Sequence, residues 1–293
     1  MSALIERLRG GLVPAVPVPF SGGVLHAAAQ EAYAQRMAGE PISGVAVWAH
    51  TGRGPHLSAE DRRTVITTWR EALPGKLVIA GAHDITTAID ARRRHADALL
   101  IHPERNDPVT HHDRLSRELP GIAFWLYEGA GGVAYDDDTL HRILELPAII
   151  GIKVATLDSV MTFQRLAGLV RQHPDKLLIT GEDRFLGYSL MAGAEAALVG
   201  LGAAVPKLSA ELLHAHRMHD AVRFIELSGA VDQFAEATFC EPMDGYVRRM
   251  LWAAAATGWL PASATEDPWG PALESAEHDV VEAAVRNALD ALG

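Results

Sequence analysis

The chain has one cysteine, Cys240. A lone thiol excludes an intramolecular disulfide and a structural zinc site built from cysteines. No apolar run reaches the ~18 residues that a membrane span requires. Positive charge is in deficit: 26 Lys and Arg stand against 37 Asp and Glu, for a formal charge of −11 and a pI near 5.7. That balance argues against a nucleic-acid or anionic-membrane surface. It leaves room for an anionic small molecule, which needs only a local positive site. No GxGxxG follows the first strand-like run, no GxxxxGK[ST] occurs anywhere, and no low-complexity tract interrupts the chain. The first residues lack the shape of a signal peptide. A cytoplasmic protein is the expectation.

What is present is a repeated alternation. Short apolar runs occur at residues 12–17, 44–49, 77–81, 98–102, 122–127, 149–154, 177–180 and 196–201. Each is rich in Val, Ile, Leu or Ala and free of the polar alternation of a half-exposed strand, as expected for strands covered on both faces. Helix signals lie between them. Ser58-Ala59-Glu60-Asp61 resembles a capping box. Asp136-Asp137-Asp138 places negative charge at a helix start. Eight strands alternating with helices predict a (β/α)₈ barrel over residues 1–205; an open doubly wound sheet is the rival. After Pro206 no strand pattern remains. Helical patterns at 208–227, 230–239, 245–257 and 272–292 predict a C-terminal helical extension over 206–293, interrupted by a Pro-containing loop at 261–271.

Barrel enzymes carry their chemistry at the C-terminal ends of the strands. One lysine stands at such a place: Lys153, in Ile149-Ile150-Gly151-Ile152-Lys153-Val154. Burial lowers a lysine pKa, and a partly neutral amine attacks carbonyls to form a Schiff base. The alternative is a strand-end lysine whose amine reaches solvent. Tyr127 ends the preceding strand and can relay protons to such an amine, or serve as a core aromatic. Thr51 and Gly52 follow the second strand and can hold a carboxylate through hydroxyl and backbone N–H groups, or form an ordinary turn.

The order of these segments resembles the dihydrodipicolinate synthase and N-acetylneuraminate lyase family of Schiff-base aldolases and lyases. Residues 12–20 are similar to its first strand. Gly44 to Gly52, followed by Leu57-Ser58-Ala59-Glu60-Asp61-Arg62, is similar to its Gly-Thr-Thr-Gly-Glu loop and the next helix start. Leu126-Tyr127 resembles its Tyr-Asn motif, Gly151-Ile152-Lys153 its lysine motif, and Thr180-Gly181-Glu182-Asp183 its Gly-x-Asp. The resemblance implies a homotetramer or dimer and a 2-keto acid, often pyruvate, bound to Lys153 as an imine. No cofactor and no metal are expected: none of the strand-end histidines His50, His83 and His102 stands in an HxH or HxxxE pair, the local spacing of a metal site. Lys153 is then nucleophile and electron sink, Tyr127 the proton relay, and Thr51 with Gly52 the carboxylate holders. His50, Arg53, Glu128 and Glu182 are secondary candidates for substrate binding.

The departures are specific. The loop reads Ala49-His50-Thr51-Gly52-Arg53, with arginine in place of glutamate. Arg53 either points into the mouth, where it would favour a dicarboxylate, or pairs with Glu60 or Asp61. Pro103-Glu104-Arg105 lacks the tyrosine that the family lends across a dimer interface. Tyr127-Glu128 replaces Tyr-Asn, and the arginine that synthases carry shortly afterwards is absent. The segment 86–95 is a shorter third helix than the family's. A synthase acting on aspartate semialdehyde is therefore not expected. Three histidines, His50, His83 and His102, end successive strands, with Glu104 and Glu128 near them in the expected order. They motivate a rival, a metal-dependent hydrolase. The altered loop motivates another, a ligand-binding member without catalysis.

Overall fold

The computed structural model describes residues 2–293. Eight parallel strands form the barrel: β1 Leu12–Pro14, β2 Gly44–Val47, β3 Leu77–Ala82, β4 Ala98–Ile101, β5 Gly121–Leu126, β6 Ile149–Ala155, β7 Leu177–Thr180 and β8 Ala196–Val199. Each pairs with its sequence neighbour from β2 to β8, and β8 pairs with β1. A parallel bridge between Ala15 and Ala46, with Val16 N donating to Ala46 O at 3.1 Å, links the end of β1 to β2 and closes the ring. The eight segments expected as strands are these eight, and the open sheet is excluded. A small hairpin, Phe20–Ser21 with Val24–Leu25, follows β1.

Every residue of the eight barrel strands is buried, so neither face shows the polar alternation of a half-exposed sheet. Alternate residues divide between two cores. Val13, Ile79, Leu100, Ile122, Phe124, Ile179 and Leu198 fill the barrel interior. Val45, Val78, Leu99, Ala123, Ile152, Val154 and Val199 pack outward against the helices. In β6 the outward neighbours Ile152 and Val154 leave Lys153 on the interior face.

Helix starts follow the cap chemistry read from the sequence. Ser58 accepts from Asp61 N ahead of Ala59–Ala72, and Asp136 accepts from Thr139 N ahead of Asp137–Leu144. Asp84 and Thr87 form a reciprocal capping box that opens Ile85–Arg93, the helix expected at 86–95.

The C-terminal helices are Pro206–Arg217, Ala221–Thr238, Tyr246–Ala256 and Ser275–Asp290. The first two correct the expected 208–227 and 230–239. Gly229 does not break the helix but lies inside it. The break falls at His219, in left-handed conformation with φ 57°, and Asp220 caps the next helix by accepting from Arg223 N. Helix Pro206–Arg217 packs on β1 and against Ala221–Thr238, which in turn packs against Ser275–Asp290, so the extension is layered onto the barrel and meets β1 through its first helix. No described helix is long and apolar enough to cross a membrane.

Candidate active site

Lys153 emerges on the interior face near the C-terminal end of β6, 7% exposed. Its register partner on β5 is Phe124, and Nζ lies 4.3 Å from the centroid of that ring. Gly181, just past β7, lets the side chain through: a Cβ there would stand 2.4 Å from Lys153 Cε. Burial pushes the amine down from 10.5 to about 8, against the pull of Asp183 and Glu182. Roughly one amine in ten is then neutral at pH 7.

The amine faces a cleft of about 490 Å³, counting the part open to solvent. Tyr127, at the end of β5, and Thr51 and His50, after β2, line it with Asp183. The remaining wall is largely apolar, with Phe124, Leu126, Leu157, Phe239 and Met243 prominent. Burial raises the Tyr127 hydroxyl to about 12, with the carboxylates of Asp244, Glu241 and Asp158 adding to the shift, so the phenol stays protonated at neutral pH. Asp183 accepts from Leu201 N at 2.8 Å; burial raises its carboxyl to about 7, while that bond and the Lys153 charge oppose the shift.

One wall comes from the C-terminal helices. The Tyr246 hydroxyl lies 2.9 Å from His50 Nδ1 and 3.0 Å from Thr51 Oγ1. Its ring stacks on Phe239 with centroids 4.6 Å apart. His50 Nε2 lies 3.7 Å from the half-exposed carboxylate of Asp244. Burial drives His50 down to about 4, so its ring is neutral at pH 7 although Asp244 pulls the other way. Arg249, fully buried, fixes the backbone of this region by donating to the carbonyls of Cys240, Glu241 and Pro242.

Residues 9–288 match the model of the dihydrodipicolinate synthetase family. The chain belongs to that family. It is similar to the 4-hydroxy-tetrahydrodipicolinate synthase of Anaplasma marginale (strain Florida), 31% identical over 216 residues, covering 69% of this chain and 70% of the relative. Its fold is that of the Ruminococcus gnavus sialic acid aldolase (TM-score 0.85, 18% identity, 98% of this chain and 99% of that one). An E. coli K12 prophage protein of the dihydrodipicolinic acid synthase family, solved with pyruvate, is similarly close (TM-score 0.84, 19% identity, 95% and 98%). The protein is thus a family enzyme of the lyase type.

Within this family frame, the positions of the candidate residues differ. Lys153, Tyr127, Thr51 and His50 converge on the cleft. Gly52, Arg53, Glu128 and Glu182 are outside its lining. Gly52 is buried in the turn, where a Cβ would approach Val16 O to 3.0 Å. Arg53 takes neither of the two orientations expected for it. Its guanidinium, 4% exposed, pairs with Asp267 and donates to Asp244 O at 3.0 Å. Glu128 is exposed in a short 3₁₀ turn. Glu182 is fully buried and accepts from the N–H groups of Thr156 (2.6 Å) and Leu157 (3.0 Å), the latter at φ 69°. It holds the turn that follows β6, next to Lys153.

The histidine trio does not assemble a metal site. Among the described residues, His50, His83 and His102 are not part of any set of three ligand atoms lying within 4.8 Å of one another; only His278, Asp279 and Glu282 form such a set. His102 packs edge-on against Phe124, and burial lowers its pKa to about 3. Asp183 and Tyr246 were not singled out from sequence. Asp183 closes the Thr180-Gly181-Glu182-Asp183 segment, one position beyond Glu182. Tyr246 is 196 positions from His50, and no local pattern ties the two.

Proposed function

We propose that this enzyme forms a Schiff base between Lys153 and a 2-keto acid, and makes or breaks a carbon–carbon or carbon–oxygen bond through the resulting enamine. The observation that carries the reading is the buried amine of Lys153, depressed to about 8, facing a cleft that also holds Tyr127. The neutral amine attacks the keto carbon; the nitrogen gives up one proton, the carbonyl oxygen takes up that one and a second from outside, and it leaves as water while nitrogen closes the protonated C=N bond. Tyr127 is the proton carrier for these steps, protonated at neutral pH and within the lining. The imine then acts as the electron sink. Thr51, which lines the cleft, holds the carboxylate, with Gly52 behind it shaping the turn; the Thr51 backbone N–H has no acceptor among the described residues. Pyruvate, the ligand of the E. coli prophage neighbour, is the simplest candidate.

The substrate reading is narrower than the resemblance alone implies. Lys153 is the only Lys or Arg in the lining, and Arg53 is committed to Asp267. A dicarboxylate would find no second cation, whereas Leu126, Leu157, Phe239 and Met243 suit an apolar fragment beyond the keto acid. The proposed setting is a cytoplasmic homo-oligomer, the usual symmetric form. The test is intact-mass measurement after borohydride treatment with a panel of 2-keto acids. One adduct on Lys153, absent in Lys153→Ala, is the expected result. An adduct on Lys76, Lys176 or Lys207, or none with any keto acid, overturns the reading.

A further inference from the structure

Tyr246 does not fit the description of a packing aromatic. It comes from the helix Tyr246–Ala256, outside the barrel strands, yet its hydroxyl enters the cleft lining. There it contacts two polar side chains of the loop after β2, His50 Nδ1 at 2.9 Å and Thr51 Oγ1 at 3.0 Å. On the far side of the imidazole, Nε2 lies 3.7 Å from Asp244, whose carboxylate is 55% exposed. His50, Tyr246 and Thr51 are thus joined by hydrogen bonds into a polar file that ends at the cleft; at its outer end the His50 side chain, 22% exposed, meets solvent beside Asp244, too far for a direct hydrogen bond.

The roles of donor and acceptor follow from the ends. The carboxylate favours a proton on Nε2, which leaves Nδ1 as acceptor for the Tyr246 hydroxyl. The Tyr246 oxygen can then accept from Thr51. Such a file moves protons by each group passing one on and receiving another, with no net change in its members. Two pieces of scaffold hold it. Arg53 Nη2 donates to Asp244 O, its Nη1 lies 3.6 Å from Asp244 Oδ1, the oxygen that faces His50, and its remaining bonds go to Asp267, while Arg249 fixes the carbonyls of residues 240–242. Phe239 stacks on the Tyr246 ring, and Gly200 leaves room for it: a Cβ at Gly200 would lie 2.8 Å from Phe239 Cζ.

We propose that the file His50–Tyr246–Thr51, with Asp244 beside its outer end, exchanges protons between solvent and the imine site on Lys153, with Tyr246 the relay group supplied by the chain's own C-terminal helices. The proposal rests on the imine reading above. Its balance is simple. Amine plus ketone plus one proton gives protonated imine plus water, so each imine formed draws one proton from solvent. Release of a proton from the adjacent carbon to form the enamine returns one. Tyr127 acts at the reacting atoms, and the file connects that chemistry to the outside.

The test is deuterium incorporation at the methyl carbon of pyruvate in D₂O, followed by NMR, alongside borohydride trapping. Tyr246→Phe keeps the stacking and removes the hydroxyl. It should slow exchange by ~10²-fold, the lower end for a lost proton-transfer group, with KM for pyruvate changed less than a few-fold. His50→Ala should slow exchange comparably and regain several-fold with added imidazole, which a packing role would not produce. Asp244→Asn, at an exposed carboxylate, should fold normally and show a smaller loss. Exchange by folded Tyr246→Phe within about threefold of the native rate overturns the proposal while leaving the imine intact. So does loss in His50→Ala that imidazole does not relieve, should Tyr246→Phe fail to fold. Absence of both adduct and exchange in the native enzyme overturns the imine reading itself, and the relay with it.

Discussion

Arg53 and Asp267, 214 positions apart, form a buried two-pronged ion pair, Nε to Oδ1 at 3.1 Å and Nη2 to Oδ2 at 2.6 Å. Both side chains are almost fully buried, at 5% and 1% exposed. The pair ties the loop after β2 to the segment preceding the last helix, behind the wall where Tyr246 meets His50 and Thr51. An arginine in that loop suggested substrate recognition in the sequence; in the fold it fastens the loop to the C-terminal region.

Breaking the pair should therefore cost stability more than selectivity. Removing one partner of a buried ion pair leaves an uncompensated charge and costs about 3–5 kcal/mol. Asp267→Asn and Arg53→Gln should each lower the urea midpoint, whereas Arg53→Met combined with Asp267→Leu should cost less than either. Arg53→Gln should not change the ratio of kcat/KM for a dicarboxylate to that for pyruvate. A selective loss with the dicarboxylate would mean that the guanidinium reaches substrate.

Tyr127→Phe should lower turnover by roughly 10²–10⁴ with a melting temperature within a few degrees of native. The side chain is only partly buried and its hydroxyl bonds no protein group, so little packing depends on it. Full activity in the variant would end its assignment as the proton carrier.

Lys153→Met should raise thermal stability while abolishing the adduct. The folded-state pKa is depressed to about 8 from 10.5, so folding disfavours the protonated amine. The cost is fully present below about pH 8 and fades as pH rises towards 10.5, where the unfolded amine also loses its proton. The melting-temperature gain should follow that course, largest near pH 6–7 and vanishing near pH 10.5. A gain independent of pH would indicate better packing rather than removal of a buried charge.

Gly181→Ala should disarm the site without touching a reactive group. The added methyl would sit 2.4 Å from Lys153 Cε and 3.0 Å from Val154 O, so the lysine must move. Borohydride trapping should fall by at least tenfold, with Tyr127 and Thr51 unchanged. Native trapping rates would show that the lysine tolerates the displacement.

The barrel was readable because each strand is covered on both faces, and runs such as Leu77–Ala82 and Ile149–Ala155 carry that burial in their composition. Lys153 was readable for the same reason: it is the one charge in such a run. What escaped were contacts made by chain segments far apart. Tyr246 meets His50, and Asp267 meets Arg53, only after the C-terminal helices dock, and neither pairing leaves a periodic trace. Glu182 reads from the sequence as a substrate ligand because a strand-end carboxylate looks alike whether it faces the cleft or, as here, accepts from the backbone of Thr156. The helix break at His219 was missed because a left-handed histidine has no composition signal, whereas Gly229 does and breaks nothing.

The C-terminal wall has a consequence during synthesis. By residue 199 the ribosome has made all eight strands, Lys153 included. Phe239, Met243 and Tyr246 emerge later, and the Asp267 that anchors their loop later still. At ordinary elongation rates the interval lasts several seconds. A barrel that closed during that interval would hold its lysine with one side of the vessel missing, and in either case the amine acquires its finished surroundings only when translation is nearly done.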